Sequence, residues 1–228
     1  MRYFLFVSVL LLSVACAPKP YKNLKQQHSN STYSTNAASY ALQFDRVLYN
    51  CKVEGKTPLG KRFSLSGLLF FKQLEDGTER IVFQNQMGAT YFDFGWNQSG
   101  QFQVHQIMPQ MDQPALVKTL KKDLEMLLFK NLVPISSGLF TGNKGSDYLR
   151  FDLPQKGFVY YIFEHGNIVA IENADDKRKV TVMKLEGSKG ANTLAEKIVI
   201  QHLRAHFSIA LERLQQDENP NNNDITEE

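Results

Sequence analysis

The middle of the chain alternates between apolar and polar residues with a period of two, which is typical of half-buried β-strands. Val47, Tyr49 and Val53, for example, fall on one face of such a strand, and Asn50 and Lys52 fall on the other. Turns containing Gly, Asp, Ser or Pro separate these segments, and their succession indicates an antiparallel meander. The predicted strands cover residues 47–53, 63–71, 80–86, 90–96, 102–107, 148–153, 158–163, 167–172, 179–185 and 197–214.

One segment departs from this period. Asp112 and Pro114 form a helix-start signal, with Asp as the cap and Pro in the first turn. Apolar residues then recur at helical spacing, at Leu116, Leu120, Leu124, Leu127 and Leu128. We predict an amphipathic helix over residues 112–129 that packs on the sheet.

The last element, residues 197–214, fits both periods. Ile198 and Ile200 are β-branched, and Phe207, Ile209 and Leu211 alternate with smaller or polar residues. We favour a strand for this reason, and a helix is the alternative.

About ten strands with one or two helices predict a mainly β (α+β) fold. Because a large antiparallel sheet has to curl, close or be covered, we expect a curled sheet or half-barrel with the helices on its concave face. Residues 158–163 are apolar on both faces. Two arrangements explain this: a central strand covered on both sides, or an inner face that lines a cavity with the outer face covered by another segment.

The N-terminus has the features of a secretory signal over residues 1–15. Arg2 supplies a positive charge, and the apolar run that follows is too short to span a membrane. This run ends in Ser13-Val14-Ala15-Cys16, which resembles the lipobox of bacterial lipoproteins, although Ser13 occupies the position where Leu is commonest.

The lipobox resemblance implies that Cys16 carries acyl chains and anchors the protein to a membrane of the cell envelope. Residue 17 is Ala, whereas Asp at this position retains lipoproteins in the inner membrane of enteric bacteria. By this analogy the protein belongs to the outer membrane and faces the periplasm. The alternative is an ordinary signal peptide that is cut after Ala15.

Composition divides the remaining chain into three parts. Residues 16–38 are polar and predict a flexible, lipidated tether. Residues 39–214 are long enough for a single domain with its own core. Residues 215–228 contain five acidic and no basic side chains, which predicts a disordered acidic tail. The net charge of the whole chain is +3, which argues against a nucleic-acid-binding protein.

The sequence contains little that suggests catalysis, and we predict that the protein is not an enzyme and needs no cofactor. Two cysteines rule out a disulfide scaffold, and Cys51 on an apolar face is expected to be a buried free thiol. His202 and His206 would lie too far apart on one strand to share a metal ion, so we expect both to point outward and no metal site. On a helix they could share one.

The order of elements resembles that of the periplasmic lipoprotein carriers LolA and LolB, in which hairpins precede a mid-chain amphipathic helix and more strands follow it. The residues that carry the resemblance are Trp96, Phe102, Gln103, Val104, Met108, Pro109, Leu116, Leu120, Asp123, Leu124 and Leu128.

This resemblance implies a half-barrel with an apolar cavity for acyl chains, and a packed core is the alternative for each aromatic residue. The candidate lining residues are Phe63, Leu65, Phe92, Phe94, Trp96, Leu120, Leu124, Tyr160 and Ile162. Leu59, in the turn after the first predicted strand, is a candidate for a loop that touches the membrane.

Two functions fit these expectations. The first is an outer-membrane lipoprotein that binds lipids or the acyl chains of lipoproteins as a carrier or acceptor. The second is a structural or assembly lipoprotein that binds a protein partner through a strand edge or a sheet face.

Overall fold

The computed structural model describes residues 20–27, 33–34, 36–40, 42, 44–57, 59–142, 145–188, 190 and 192–214. The predicted signal sequence, Cys16 and the predicted acidic tail lie outside the described residues.

The described residues form thirteen strands, one α-helix and a 3-10 helix over Ala37–Tyr40. The strands are β1 (Lys25–Gln26), β2 (Arg46–Lys56), β3 (Arg62–Gln73), β4 (Glu79–Gln84), β5 (Thr90–Trp96), β6 (Phe102–Ile107), β7 (Val133–Thr141), β8 (Asp147–Asp152), β9 (Phe158–Glu164), β10 (Asn167–Ala174), β11 (Lys179–Glu186), β12 (Lys197–His202) and β13 (Phe207–Arg213). The helix α1 spans Pro114–Leu127.

All the strands belong to one sheet in which every neighbouring pair is antiparallel. The sheet order is β1-β7-β8-β9-β10-β11-β12-β13-β2-β3-β4-β5-β6. Strand β13 pairs with β2 and so joins the meander after α1 to the meander before it. The predicted fold class is therefore confirmed: a mainly β protein with an antiparallel sheet and one packed helix.

Irregular register lets the sheet bend around α1. Bulges interrupt the pairing of β4 with β5, β5 with β6, and β9 with β10, among others. A bulge adds a residue to one strand and increases its local bend and twist. Gly67 on β3 lies so close to β4 that a Cβ atom there would be 1.9 Å from the carbonyl oxygen of Gln84, so this position accepts only glycine.

The helix lies where the sequence predicts it, with shorter ends. Gln113, not Asp112, is the N-cap residue, and Pro114 occupies the first turn. Left-handed backbone at Phe129 and Asn131 ends the helix, with φ of 54° and 53°. The backbone N–H of Lys130 donates to the carbonyl of Glu125 at 2.8 Å, which satisfies one of the last helical carbonyls.

Residues 197–214 are extended, as favoured from the sequence, but they form a hairpin of β12 and β13 rather than one strand. The turn between them contains His206, whose φ is 53°. Strand β7 was also absent from the ten predicted strands, because Pro134 and the run Ser136-Ser137-Gly138 obscure the alternation.

The outer face of β9 is covered by the N-terminal segment of residues 20–27, here called the N-terminal strap. Tyr21 and Leu24 pack against Phe158, Tyr160 and Ile162 and their neighbours. The strap ends in β1, which pairs with β7. Both explanations for the doubly apolar strand require a covered outer face, and the N-terminal strap provides that cover. Residues 20–27 are therefore part of the folded structure rather than of a free tether.

Candidate functional site

The candidate site is the interior between α1 and the concave face of the sheet. Five of the predicted lining residues meet there in one apolar cluster, and each is at most 6% exposed: Phe92, Phe94, Trp96, Leu120 and Leu124. The period-two strands and the helical leucine stripe direct these side chains toward one another. The interior is therefore apolar on both the sheet side and the helix side.

The other four predicted lining residues lie elsewhere. Leu65 is half-buried against the margin of the main cluster, and Phe63 is 36% exposed near the start of β3. Tyr160 and Ile162 belong to the outer cluster beneath the N-terminal strap. The expectation that all nine side chains line one cavity is wrong for these two, since β9 directs alternate side chains to opposite faces and they lie on the outer one.

Side chains fill much of the interior. Phe129, just after α1, stacks on Tyr161 with ring centroids 4.0 Å apart and on Tyr40 at 5.3 Å. Beside this stack is an apolar cavity of about 10 Å³, lined by Leu42, Leu127, Phe129, Ile171, Leu185 and Leu194 among others. That volume is too small for an acyl chain and is at the limit for a water molecule, so a ligand requires displacement of side chains.

Polar contacts hold α1 against both arms of the curled sheet. The indole Nε1 of Trp96 on β5 donates to Oε1 of Glu125 at 3.1 Å. On the opposite arm, the hydroxyl of Tyr161 donates to the carbonyl oxygen of Met126 at 2.6 Å. Lys122 Nζ donates to Asn173 Oδ1 of β10 at 2.9 Å. The helix is thus fixed in position by directional contacts as well as by apolar packing.

A buried pair of ionisable groups adds a further contact. Oδ2 of Asp123 on α1 lies 2.7 Å from Nε2 of His202 on β12, and the two side chains are 1% and 4% exposed. This is an ion-pair distance, although the direction of approach does not meet hydrogen-bond geometry. Burial raises the pKa of the Asp123 carboxyl, whereas the contact with His202 and the charge of Lys122 oppose that rise.

Thr181 completes a row of three groups that resembles a catalytic relay, with its Oγ1 3.4 Å from Nδ1 of His202. A nucleophile in such a relay has to be reached by a substrate. Thr181 is 1% exposed, and the ring of Phe207 stacks on His202 at 4.0 Å. In this closed arrangement the row joins helix to sheet and offers no access to a substrate.

The pattern of the sequence does not reveal the pair of Asp123 and His202. His202 was expected to point outward, but it is 5% exposed; His206 is exposed in the β12–β13 turn. One feature of the sequence does indicate a buried polar contact, because Asp123 falls within the apolar stripe of α1, next to Leu120 and Leu124. A carboxylate on the buried face of a helix has to find a partner, but its identity depends on the tertiary fold.

The remaining candidates have simpler environments. Cys51 is a buried free thiol as predicted, and burial raises its pKa to about 12, which keeps it unreactive. Leu59 is 96% exposed at the β2–β3 turn. Within the part of the chain that the structure describes, no group of three or more His, Cys, Asp or Glu side chains is arranged to hold a metal ion. No helix among these residues is long and apolar enough to cross a membrane.

Comparison with known proteins gives only structural similarity. No protein-family model matches the chain, and no curated protein sequence matches it either. A domain from Vibrio parahaemolyticus described as an outer membrane lipoprotein-sorting protein is 8% identical with a TM-score of 0.43, and the match covers 78% of this chain and 87% of that one.

Two further solved structures are similar at the same level. A DUF1329 family protein from Desulfovibrio piger is 10% identical with a TM-score of 0.45, over 80% of this chain and 90% of that one. A LolA superfamily protein from Nitrosomonas europaea is 11% identical with a TM-score of 0.44, over 78% and 88%.

The buried pair predicts a pH-dependent stability difference between two variants. His202→Leu leaves the Asp123 carboxylate buried without its partner, which should lower the free energy of unfolding by about 3–5 kcal/mol near neutral pH. The second variant, His202→Leu/Asp123→Asn, also removes the charge and should restore part of this loss. Urea unfolding followed by circular dichroism measures both variants.

The direction of this pH dependence follows from the raised pKa of Asp123. Because the folded state takes up this proton at higher pH than the unfolded state, the carboxyl destabilises the fold increasingly as pH rises through its raised pKa. The two variants should therefore converge near pH 3, below the ordinary carboxyl pKa of about 3.9. The exposed control His105→Leu should change stability by less than about 0.5 kcal/mol. Equal stability of the two His202 variants at every pH would contradict the prediction.

Proposed function

We propose that this chain is an envelope lipoprotein of the carrier or acceptor type, which binds lipids or the acyl chains of lipoproteins. The observation that carries the proposal is the apolar interior between one helix and a curled sheet, in which Phe92, Phe94, Leu120 and Leu124 face one another. In this proposal the protein needs no catalytic group, since apolar burial supplies the affinity.

Ligand binding in this site requires that α1 moves away from the sheet. Burial of an acyl chain contributes ~0.8 kcal/mol per methylene, on the order of 12 kcal/mol for a palmitoyl chain. This gain offsets the apolar contacts that α1 loses. The directional contacts to be broken are few, chiefly those of Glu125, Met126 and Asp123.

The membrane anchor in this proposal is the acylated Cys16, in the outer membrane and facing the periplasm. Three residues separate Cys16 from Pro20, where the N-terminal strap begins. Four residue steps span at most about 14 Å. The anchor therefore holds the outer face of β9 and β10 close to the bilayer, and Leu59 is proposed as a second, weaker membrane contact because its apolar side chain is almost fully exposed.

Trp96 offers a direct test of acyl-chain binding, because it is the only tryptophan of the chain and is fully buried against α1. A brominated fatty acid quenches a tryptophan that it contacts. Titration of the full chain with dibromostearate, in dilute non-ionic detergent, should quench most of the Trp96 emission. Stearate without bromine should leave the emission unquenched.

The matched control moves the tryptophan to an exposed turn. In Trp96→Phe/Met87→Trp, whose new tryptophan lies at the exposed β4–β5 turn, bromine in the interior is remote from the fluorophore, so quenching should be much weaker. Equal quenching of both proteins would indicate non-specific association. Unquenched Trp96, together with lipid mass spectrometry that detects no lipid on protein purified from membranes, would refute an interior acyl-chain site.

Anchoring is tested separately by Cys16→Ser. Acyl chains hold a protein on a bilayer far more firmly than a surface contact does, so this variant should move from the membrane pellet to the soluble fraction of an expressing bacterium. Mass spectrometry of the N-terminal peptide should detect acyl groups in the parent protein. Parent and variant in the same fraction, with an unmodified N-terminal peptide, would contradict lipid attachment.

A second candidate function, a structural or assembly lipoprotein, is favoured by the edge strand β6. Among the strands that the structure describes it pairs with β5 alone, and Phe102–Ile107 contains neither Pro, Lys nor an acidic residue. Natural sheets usually protect an exposed edge with such residues. An edge of this kind suits an extended segment of a protein partner.

Photo-cross-linking at Gln103 in living cells tests this candidate. If β6 is a partner site, a cross-linker there should capture one protein in a stoichiometric amount, and Val104→Pro should abolish the product by removing a backbone N–H donor. A cross-linker at Lys184, on the inner strand β11, serves as the control. Identical products at both positions, or none at either, would exclude partner binding through β6.

A further inference from the structure

A second concave site lies on the outer side of α1, away from the apolar interior. It is a cleft of about 530 Å³ between α1, the residues that follow it and the β8–β9 turn. Five lysines line it: Lys118, Lys121, Lys122, Lys130 and Lys156. Glu125 is the one acidic side chain among its described lining residues. We call this site the lysine cleft.

The negative charge near the lysine cleft is already engaged. Glu125 accepts hydrogen bonds from Trp96 Nε1 at 3.1 Å and from Asn131 Nδ2 at 2.7 Å, and lies 3.6 Å from Lys121 Nζ. Lys130 pairs with Glu79, outside the lining, at 3.0 Å. The cleft therefore keeps a surplus of positive charge.

Three lysines carry this surplus. Lys118 and Lys156 have no ion-pair or hydrogen-bond partner among the described residues, although the charge of Asp175 acts on Lys156 from a longer distance. Lys122 is half-buried, and its Nζ contacts the neutral side-chain oxygen of Asn173. Burial lowers the pKa of Lys122; Asp123 opposes this effect, and the like charge of Lys118 adds to it. An anion in the cleft would relieve this repulsion.

The lining also includes apolar groups. Leu153 and Pro154 contribute apolar surface beside the ammonium groups. Lysine binds phosphate as a point charge, and the volume lies within the range of pockets for small ligands. The combination suits an anion that is attached to a short apolar group.

We propose that the lysine cleft is a binding site for a phosphate group carried by a small amphiphile, such as the head group of a phospholipid. Its ligand is held by Lys118, Lys122 and Lys156, with the glycerol or first methylene groups against Leu153 and Pro154.

The N-terminal strap gives a reason to include membrane lipids among the sources of this phosphate. Phe158 follows the β8–β9 turn directly, and its ring lies 6.0 Å from that of Tyr21 on the strap. This detail rests on the proposed anchoring at Cys16, whereas the charge and shape of the cleft do not depend on it.

Isothermal titration calorimetry of the full chain in non-ionic detergent tests the site with three probes: inorganic phosphate, dihexanoyl phosphatidic acid and dihexanoylglycerol. Phosphatidic acid should bind, and dihexanoylglycerol, which lacks the phosphate, should bind at least about tenfold more weakly. Higher ionic strength should weaken the binding. If inorganic phosphate binds as tightly as phosphatidic acid, the ligand is a free oxyanion. If inorganic phosphate binds much more weakly, the ligand is the lipid head group. Both results support the site.

Charge reversal identifies the residues. Lys118→Glu/Lys156→Glu should raise the Kd for phosphatidic acid at least about tenfold, while Lys72→Glu/Lys184→Glu, with the same change in net charge outside the cleft, should change it less than about twofold. Both pairs are exposed, so thermal unfolding should match that of the parent chain.

Equal binding of the lipids with and without phosphate, or equal effects of the two double variants, would overturn the proposal. Dibromostearate quenching of Trp96 should persist in Lys118→Glu/Lys156→Glu. Quenching of Trp96 therefore reports on the interior site, and calorimetry with phosphatidic acid reports on the lysine cleft, so failure of one proposal is distinguishable from failure of the other.

Discussion

In the described part of the chain, a single α-helix has to cover the apolar concave face of a thirteen-stranded sheet, and the rest of the structure depends on how it is held there. Apolar packing attracts α1 to the sheet but does not fix its orientation, because that attraction is not directional. Orientation comes from polar groups on the helix: the Glu125 carboxylate, the Met126 carbonyl and the Asp123 carboxylate. Each has its partner on a different strand, so the helix fits the sheet in one position.

The same contacts define what the interior can do. The apolar residues of α1 and the sheet form a closed layer, and the polar contacts determine how readily it opens. Contacts of this kind are costly to break singly, because the remaining partner is left buried and unsatisfied. An acyl chain that displaced α1 would have to compensate the free energy lost with these polar contacts. Binding of such a chain and displacement of α1 would therefore be coupled.

The two faces of β9 show how one strand serves two environments. Tyr161 contacts α1, whereas Tyr160 lies beneath the N-terminal strap, where Tyr21 donates a hydrogen bond to Glu172 at 2.7 Å. Residues that look like a polar tether in the sequence thus close the outer face.

The local pattern of apolar and polar residues was sufficient to predict much of the fold. Alternation predicted most strands, because half-burial imposes a period of two on each strand independently. The helical stripe predicted α1 and its buried leucines for the same reason. Local pattern failed at β1, whose two residues gain their structure from pairing with β7, and at the turn that divides β12 from β13. It also assigned Tyr160 and Ile162 to the interior, because period alone does not say which face is the inner one.

The sequence by itself determined the class of fold, the place of the helix and the buried state of Cys51. Only the tertiary structure decided which groups far apart in the chain meet. Asp123 and His202 form a pair, and Lys118 and Lys156 border one cleft, because the sheet curls around α1 and brings the β8–β9 turn and β12 to the helix. Periodicity is a property of neighbouring residues, whereas a site depends on contacts between distant ones.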